Sequence, residues 1–174
     1  MSLSMFQASV PVFQQMLAAL SGNLEKAEAN AAERKIDPMV LLAYRLAPDM
    51  FPLARQVQIA TDHAKGCLSR LAGREPPRYP DEESSFGDLR ARIARTLDHV
   101  AGFAPAEIDG SEAREVSLSI GGSQMSFTGQ RYLVGFVLPN FYFHVTMAYA
   151  IMRHCGVPVG KRDFIGAVDL GGAR

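Results

Sequence analysis

Pro139-Asn-Phe-Tyr-Phe-His-Val-Thr-Met-Ala-Tyr-Ala-Ile-Met-Arg-His-Cys-Gly156 decides the fold. A proline at its start, a glycine at its end and basic residues in its last turn are the punctuation of a helix. Phe141, Phe143, Val145, Met147, Tyr149, Ile151 and Met152 cover every side of that helix, so it is expected to be buried on every side. Asn140 and His144 are its only strongly polar side chains before Arg153. At i and i+4 they stand one turn apart on one face, the spacing at which two side chains share a metal ion or a polar ligand.

Upstream of this helix the pattern changes twice. Val116, Leu118 and Ile120 alternate with serines, Gly121-Gly122 turns, and Met125 and Phe127 alternate again, which predicts a small β-hairpin packed on the helices. Thr128 then caps a short helix over 129–137. Farther back, Ser85 with Asp88, followed by Phe86, Leu89, Ile93, Leu97 and Val100 on one face, predicts a third helix. Its Arg90, Arg92 and Arg95 are expected on solvated faces, and His99 on the exposed side. The proline-rich run 74–83 predicts an exposed crossover.

Two more stripes lie toward the N-terminus. Phe6, Val10, Phe13, Leu17, Leu20, Leu24 and Ala27 predict a long first helix, with Ser4 and Gln7 as a capping box and Pro11 kinking it or delaying its start. Asp37-Pro38 predicts a short helical turn. Asp49 is expected to cap the second long helix, whose apolar positions run from Met50 to Leu71 and stop at Gly73. Four helices with one stripe each predict an all-α bundle with a small β-hairpin insertion, one domain over 1–174. The polar tail with Lys161, Arg162 and Asp163 carries Phe164 and Ile165 and is expected to fold back on it.

Lysine and arginine balance aspartate and glutamate at 18 each, so no net field favours nucleic acid or an anionic membrane. The N-terminus reads as no export signal and no stretch as an uninterrupted apolar span, which places the protein in the cytoplasm. Cys67 and Cys155 are expected as free thiols.

His144 is read in two ways. It is a core histidine satisfied by a backbone carbonyl, Asn140 or Gln56, or it is a ligand-binding or metal-binding side chain inside the bundle. On the second helix Gln56 and His63 share a flank, with Cys67 one turn beyond; His63 and Cys67 fall short of the four donors of structural zinc.

Ala47-Pro-Asp-Met50, Arg70-Leu71-Ala-Gly73, Pro139-Asn-Phe-Tyr-Phe-His144, Ala148-Tyr149 and Gly160-Lys-Arg-Asp-Phe-Ile-Gly166 together resemble a bacterial domain of unknown function within the DinB/YfiT-like superfamily of metalloenzymes. The resemblance implies an up-up-down-down four-helix bundle, often dimeric. It also implies divalent-metal-dependent transfer or isomerisation with small thiols, the metal held by one histidine on the second helix and a His-x-x-x-His pair on the fourth. Here the pair reads Asn140-x-x-x-His144 and the helix-two position reads Gln56, so His144 is the one strong metal donor in a degenerate site. Two readings stand side by side. Either Asn140, His144 and Gln56 bind a small polar ligand, with transferase-like chemistry at His144, or the protein is a catalytically inactive dimeric interaction module. The apolar fourth helix predicts a homodimer.

Overall fold

The computed structural model of the chain describes residues 3–168. Helix α1 spans Val10–Glu33 and buries the expected stripe from Val10 to Ala27, with Met16, Asn23 and Ala31 added to it, while Phe6 precedes the helix and is partly buried. Pro11 delays its regular start. Ser4 and Gln7 do exchange backbone N–H bonds, at 3.2 and 3.3 Å, but around the turn that precedes the helix. Asp37 accepts from the Met39 N–H at 2.9 Å and caps the short α2, Pro38–Leu42. Helix α3, Leu53–Leu71, begins later than Asp49 would set it. The Met50 N–H turns back onto the Ala47 carbonyl and the Leu53 N–H is taken by the Tyr44 carbonyl, so the chain stays irregular until Pro52.

Helix α4, Phe86–Ala101, starts as expected, with Ser85 Oγ accepting from the Asp88 N–H at 3.0 Å. A single turn, α5 at Pro105–Ile108, leads to the hairpin of β1, Glu115–Ile120, and β2, Ser123–Thr128. Gly121 and Gly122 both have positive φ, 58° and 84°, the tight turn that pairs Val116 with Phe127 and Leu118 with Met125. From Gly129 the chain is helical without a break: α6 at Gly129–Arg131, a π-helical stretch at Tyr132–Val137, and α7 at Leu138–His154. Pro139 therefore does not begin a separate helix. It lacks the N–H that the row of backbone donors needs, and Asn140 Nδ2 donates to the nearby Phe136 carbonyl at 2.7 Å. The tail docks as expected. Helix α8, Lys161–Ile165, lies on α1, where Lys26 pairs with Asp163 and Gln15 Nε2 reaches the Ile165 carbonyl.

Side-chain contacts give the helix directions. Phe13 meets Phe141, and Arg34 reaches the Cys155 carbonyl, so α1 and α7 run parallel. Asp62 meets Arg92 and Ser69 meets His99, so α3 and α4 run parallel to each other. Gln56 meets His144 while Arg70 meets Tyr132, so α3 opposes α7. In chain order the long helices therefore run up, down, down, up, and the up-up-down-down order implied by the resemblance is corrected. The stretch through α2 reverses the chain between α1 and α3. Residues 74–83 then carry it back along the bundle, so that α4 sets off in the same direction as α3.

The core lies between these helices. Phe13, Leu17, Leu68, Phe86, Leu89, Ile93 and Phe141 are fully enclosed, and the Phe13 and Phe141 rings meet edge to face at 4.9 Å. Helix α7 departs from the expectation of burial on every side, since Tyr142 and Phe143 are 40% and 50% exposed. The continuous helix Gly129–His154 is long and apolar enough to cross a membrane by length and composition. In this fold its Phe141, Val145, Ala148, Ile151 and Met152 form a wall of the core.

Candidate functional site

Gln56, His63 and Arg70 stand seven residues apart on α3, two turns each, so one face of the helix carries all three. Opposite them, in reverse order, come His144, Phe136 and Tyr132. His144 Nδ1 lies 2.7 Å from Gln56 Oε1. The amide orientation is fixed by Gln56 Nε2, which donates to the Phe51 carbonyl at 3.0 Å. A carbonyl only accepts, so Oε1 faces the ring, Nδ1 carries the proton and Nε2 is the basic nitrogen. His144 is 8% exposed. Burial, with the positive charge of Arg55 adding to it, pushes its pKa down to about 4. The His63 ring is stacked 5.9 Å away at 19° from parallel. Its pKa also falls to about 4, first through burial and then through His144, against the pull of Asp62. Both imidazoles are neutral at pH 7.

Beside His63 opens a cavity of about 330 Å3 lined by Asp62, His63, Arg70, Leu118, Tyr132, Phe136 and Asn140. The π-helical stretch supplies Tyr132 and Phe136, whose rings lie 6.0 Å apart at 19°; such local widenings of a helix are frequent at functional sites. The hairpin covers the cavity with Leu118 and backs it with Phe127, which packs on Phe136 at 5.4 Å. Arg70 Nη1 donates to the Tyr132 hydroxyl at 3.1 Å. Burial pushes the Tyr132 phenol up to about 12, so it stays protonated.

The expected trio does not converge. Gln56 and His144 meet, but Asn140 turns to the Phe136 carbonyl and lines the neighbouring cavity. Gln56 Oε1 is occupied by the His144 proton. Cys67 is fully buried, and its thiol is pushed well above the ordinary range by that burial. The described residues therefore offer no set of three His, Cys, Asp or Glu donors, and Gln56 orients His144 through Nδ1.

Sequence reasoning missed Arg70 and Tyr132. The seven-residue spacing from Gln56 through His63 to Arg70 was the available signal for the first. The π geometry that aims Tyr132 has none. Arg92 was also misplaced. Its side chain is 2% exposed and binds Thr61, Asp62, the Pro80 carbonyl, Asp81 and Glu83, so the crossover is strapped to the bundle. His99, expected to face solvent, is half-buried, with Nε2 at 3.0 Å from Ser69 Oγ.

Comparison with known proteins gives two findings. The profile of a family described as Domain of unknown function (DUF1993) matches residues 5–165. The chain is similar to a solved structure described as the crystal structure of a DinB family member protein from Shewanella denitrificans, with 40% identity and a TM-score of 0.85 over 95% of this chain and 94% of that one. The search of curated proteins gives no match.

Proposed function

From the premise that the chain belongs to the DUF1993 family of DinB-like proteins, we propose that it binds a small polar molecule in the cavity between α3 and α7, with the neutral imidazole of His63 on the cavity wall and His144 behind it. The observation that carries this reading is the Phe51–Gln56–His144 relay at 3.0 and 2.7 Å. It holds one histidine tautomer fixed within contact of His63, and His63 faces a cavity of ligand size. The lowered pKa of both imidazoles, about 4, supports binding over catalysis. A general base works best when its pKa lies near the working pH, so His63 favours hydrogen bonding to a ligand over proton abstraction, and a thiol-transfer role is the weaker branch of this reading. The test is elemental analysis and zinc titration of protein purified without a tag or chelator, beside His144→Ala. No stoichiometric metal is expected in either protein. Metal bound one to one by the parent and lost in the variant overturns the reading.

A second reading rests on a different observation. Val134, Tyr142 and Phe143 expose 56%, 40% and 50% of their surface on the continuous helix, and a homodimer would cover them. Sedimentation at micromolar concentration tests this, and a single monomeric species refutes it. The two free thiols suit a reducing compartment and support a cytoplasmic location.

A further inference from the structure

We infer that the Arg70 end of this cavity recognises the carboxylate of a small, otherwise apolar ligand. The inference rests on the proposed binding role of the cavity and adds to it the class of molecule bound. Arg70 is half-buried and lines the cavity, yet among the described residues it forms no ion pair. The other cations around α3 do have partners. Arg55 pairs with Asp81, Lys65 with Asp62, and Arg92 with Asp62, Asp81 and Glu83. Asp62 lines the same cavity but is held by Lys65 at 2.9 Å and Arg92 at 2.8 Å. Among the described residues, Arg70 is therefore a cavity cation whose charge no carboxylate answers.

Its position is held from two sides. The guanidinium folds back over Gly66, where a side-chain carbon would collide with Nη1, and Nη1 donates to the Tyr132 hydroxyl. A guanidinium has five N–H donors in a planar fork. With one of them spent on Tyr132, the fork retains enough to hold a carboxylate through paired bonds, and the protonated Tyr132 hydroxyl is a further donor beside it. The rest of the cavity suits an apolar body, through Leu118, Phe136 and the Tyr132 ring. A single uncompensated cation matches a monoanion. A phosphate dianion would carry a second charge toward Asp62 without a second cation to meet it. The volume of about 330 Å3 lies at the small end of the ~300–1,000 Å3 typical of ligand sites.

The experiment compares acid and amide pairs by calorimetric titration: hexanoate with hexanamide, benzoate with benzamide, and inorganic phosphate alone. The proteins are the full chain, Arg70→Met and Arg70→Lys, each checked for folding by circular dichroism. Carboxylates are expected to bind the parent on the order of tenfold or more tighter than their amides, the scale of a charge-assisted pair. Arg70→Met is expected to abolish that preference and Arg70→Lys to retain part of it. Equal binding of acid and amide overturns the inference while leaving the cavity as a neutral-ligand site. Phosphate binding without carboxylate binding overturns it as well, and so does the absence of binding by any carboxylate at millimolar concentration. Should Arg70→Met fail to fold, the acid and amide comparison on the parent alone decides. The metal titration of His144→Ala reads the cavity's metal independence separately.

Discussion

Replacing Gln56 by glutamate puts a negative charge where a neutral amide now accepts the His144 proton, at 2.7 Å. In the parent, His144 is held down from 6.5 to about 4, mainly by burial. A carboxylate in direct contact favours the imidazolium and raises the pKa by about 1–3, which brings it to roughly 5–7. The sign for stability follows from linkage. In the parent the folded pKa lies below the unfolded one, so the unfolded chain binds the extra proton. The stability that this histidine contributes is complete above pH 6.5 and is lost as pH falls toward 4. At about 1.4 kcal/mol per decade the fall corresponds to ~3 kcal/mol, and screening by solvent at the open side reduces it to about 2 kcal/mol. Gln56→Glu should flatten that decline by raising the folded pKa toward the unfolded value. It also removes the Nε2 donor to the Phe51 carbonyl, at a cost of about 1–3 kcal/mol for the orphaned acceptor. Histidine NMR titration gives the pKa directly, and urea unfolding between pH 4 and 8 gives the stability. A parent His144 titrating near 6.5, or a pKa unmoved by Gln56→Glu, would refute the reasoning.

Two further substitutions test the packing around the site. Arg92→Met removes the buried strap; Asp62 retains Lys65 and Asp81 retains Arg55, so Glu83 is the carboxylate left with only the Gln58 amide. The loss is expected near the low end of the ~3–5 kcal/mol for breaking a buried pair. Adding Glu83→Gln should recover part of it in a urea double-mutant cycle, and additive losses would rule out that account. Gly129→Ala would drive a methyl group into the Ser111 carbonyl oxygen where α6 begins. It should cost about 1–3 kcal/mol, and an unchanged melting temperature would show that this approach is not tight in solution.

The helix stripes were legible because burial repeats with the helical period. Phe13, Leu17, Leu20 and Leu24 on α1, and Leu89, Ile93 and Val100 on α4, are buried as their spacing implies. The hairpin was legible from its alternation and its paired glycines. Arg92 was not, because a charged residue on an amphipathic helix reads as solvated until the crossover brings Asp81 and Glu83 over it. Asn140 misled for a related reason. The i, i+4 spacing fixes where a side chain starts, whereas the π-helical stretch and Pro139 decide which carbonyl it reaches.

The sequence by itself determined the helical class, the hairpin, the docked tail and the pairing of Gln56 with His144 as one of its alternatives, since local periodicity and capping chemistry act over a few residues. Only the tertiary structure decided the helix directions, the cavity and the separation of Asn140 from the Gln56–His144 pair. Those depend on which faces meet across the bundle, where contacts such as Gln56 with His144 and Arg70 with Tyr132 join residues far apart in the chain and no spacing rule reaches.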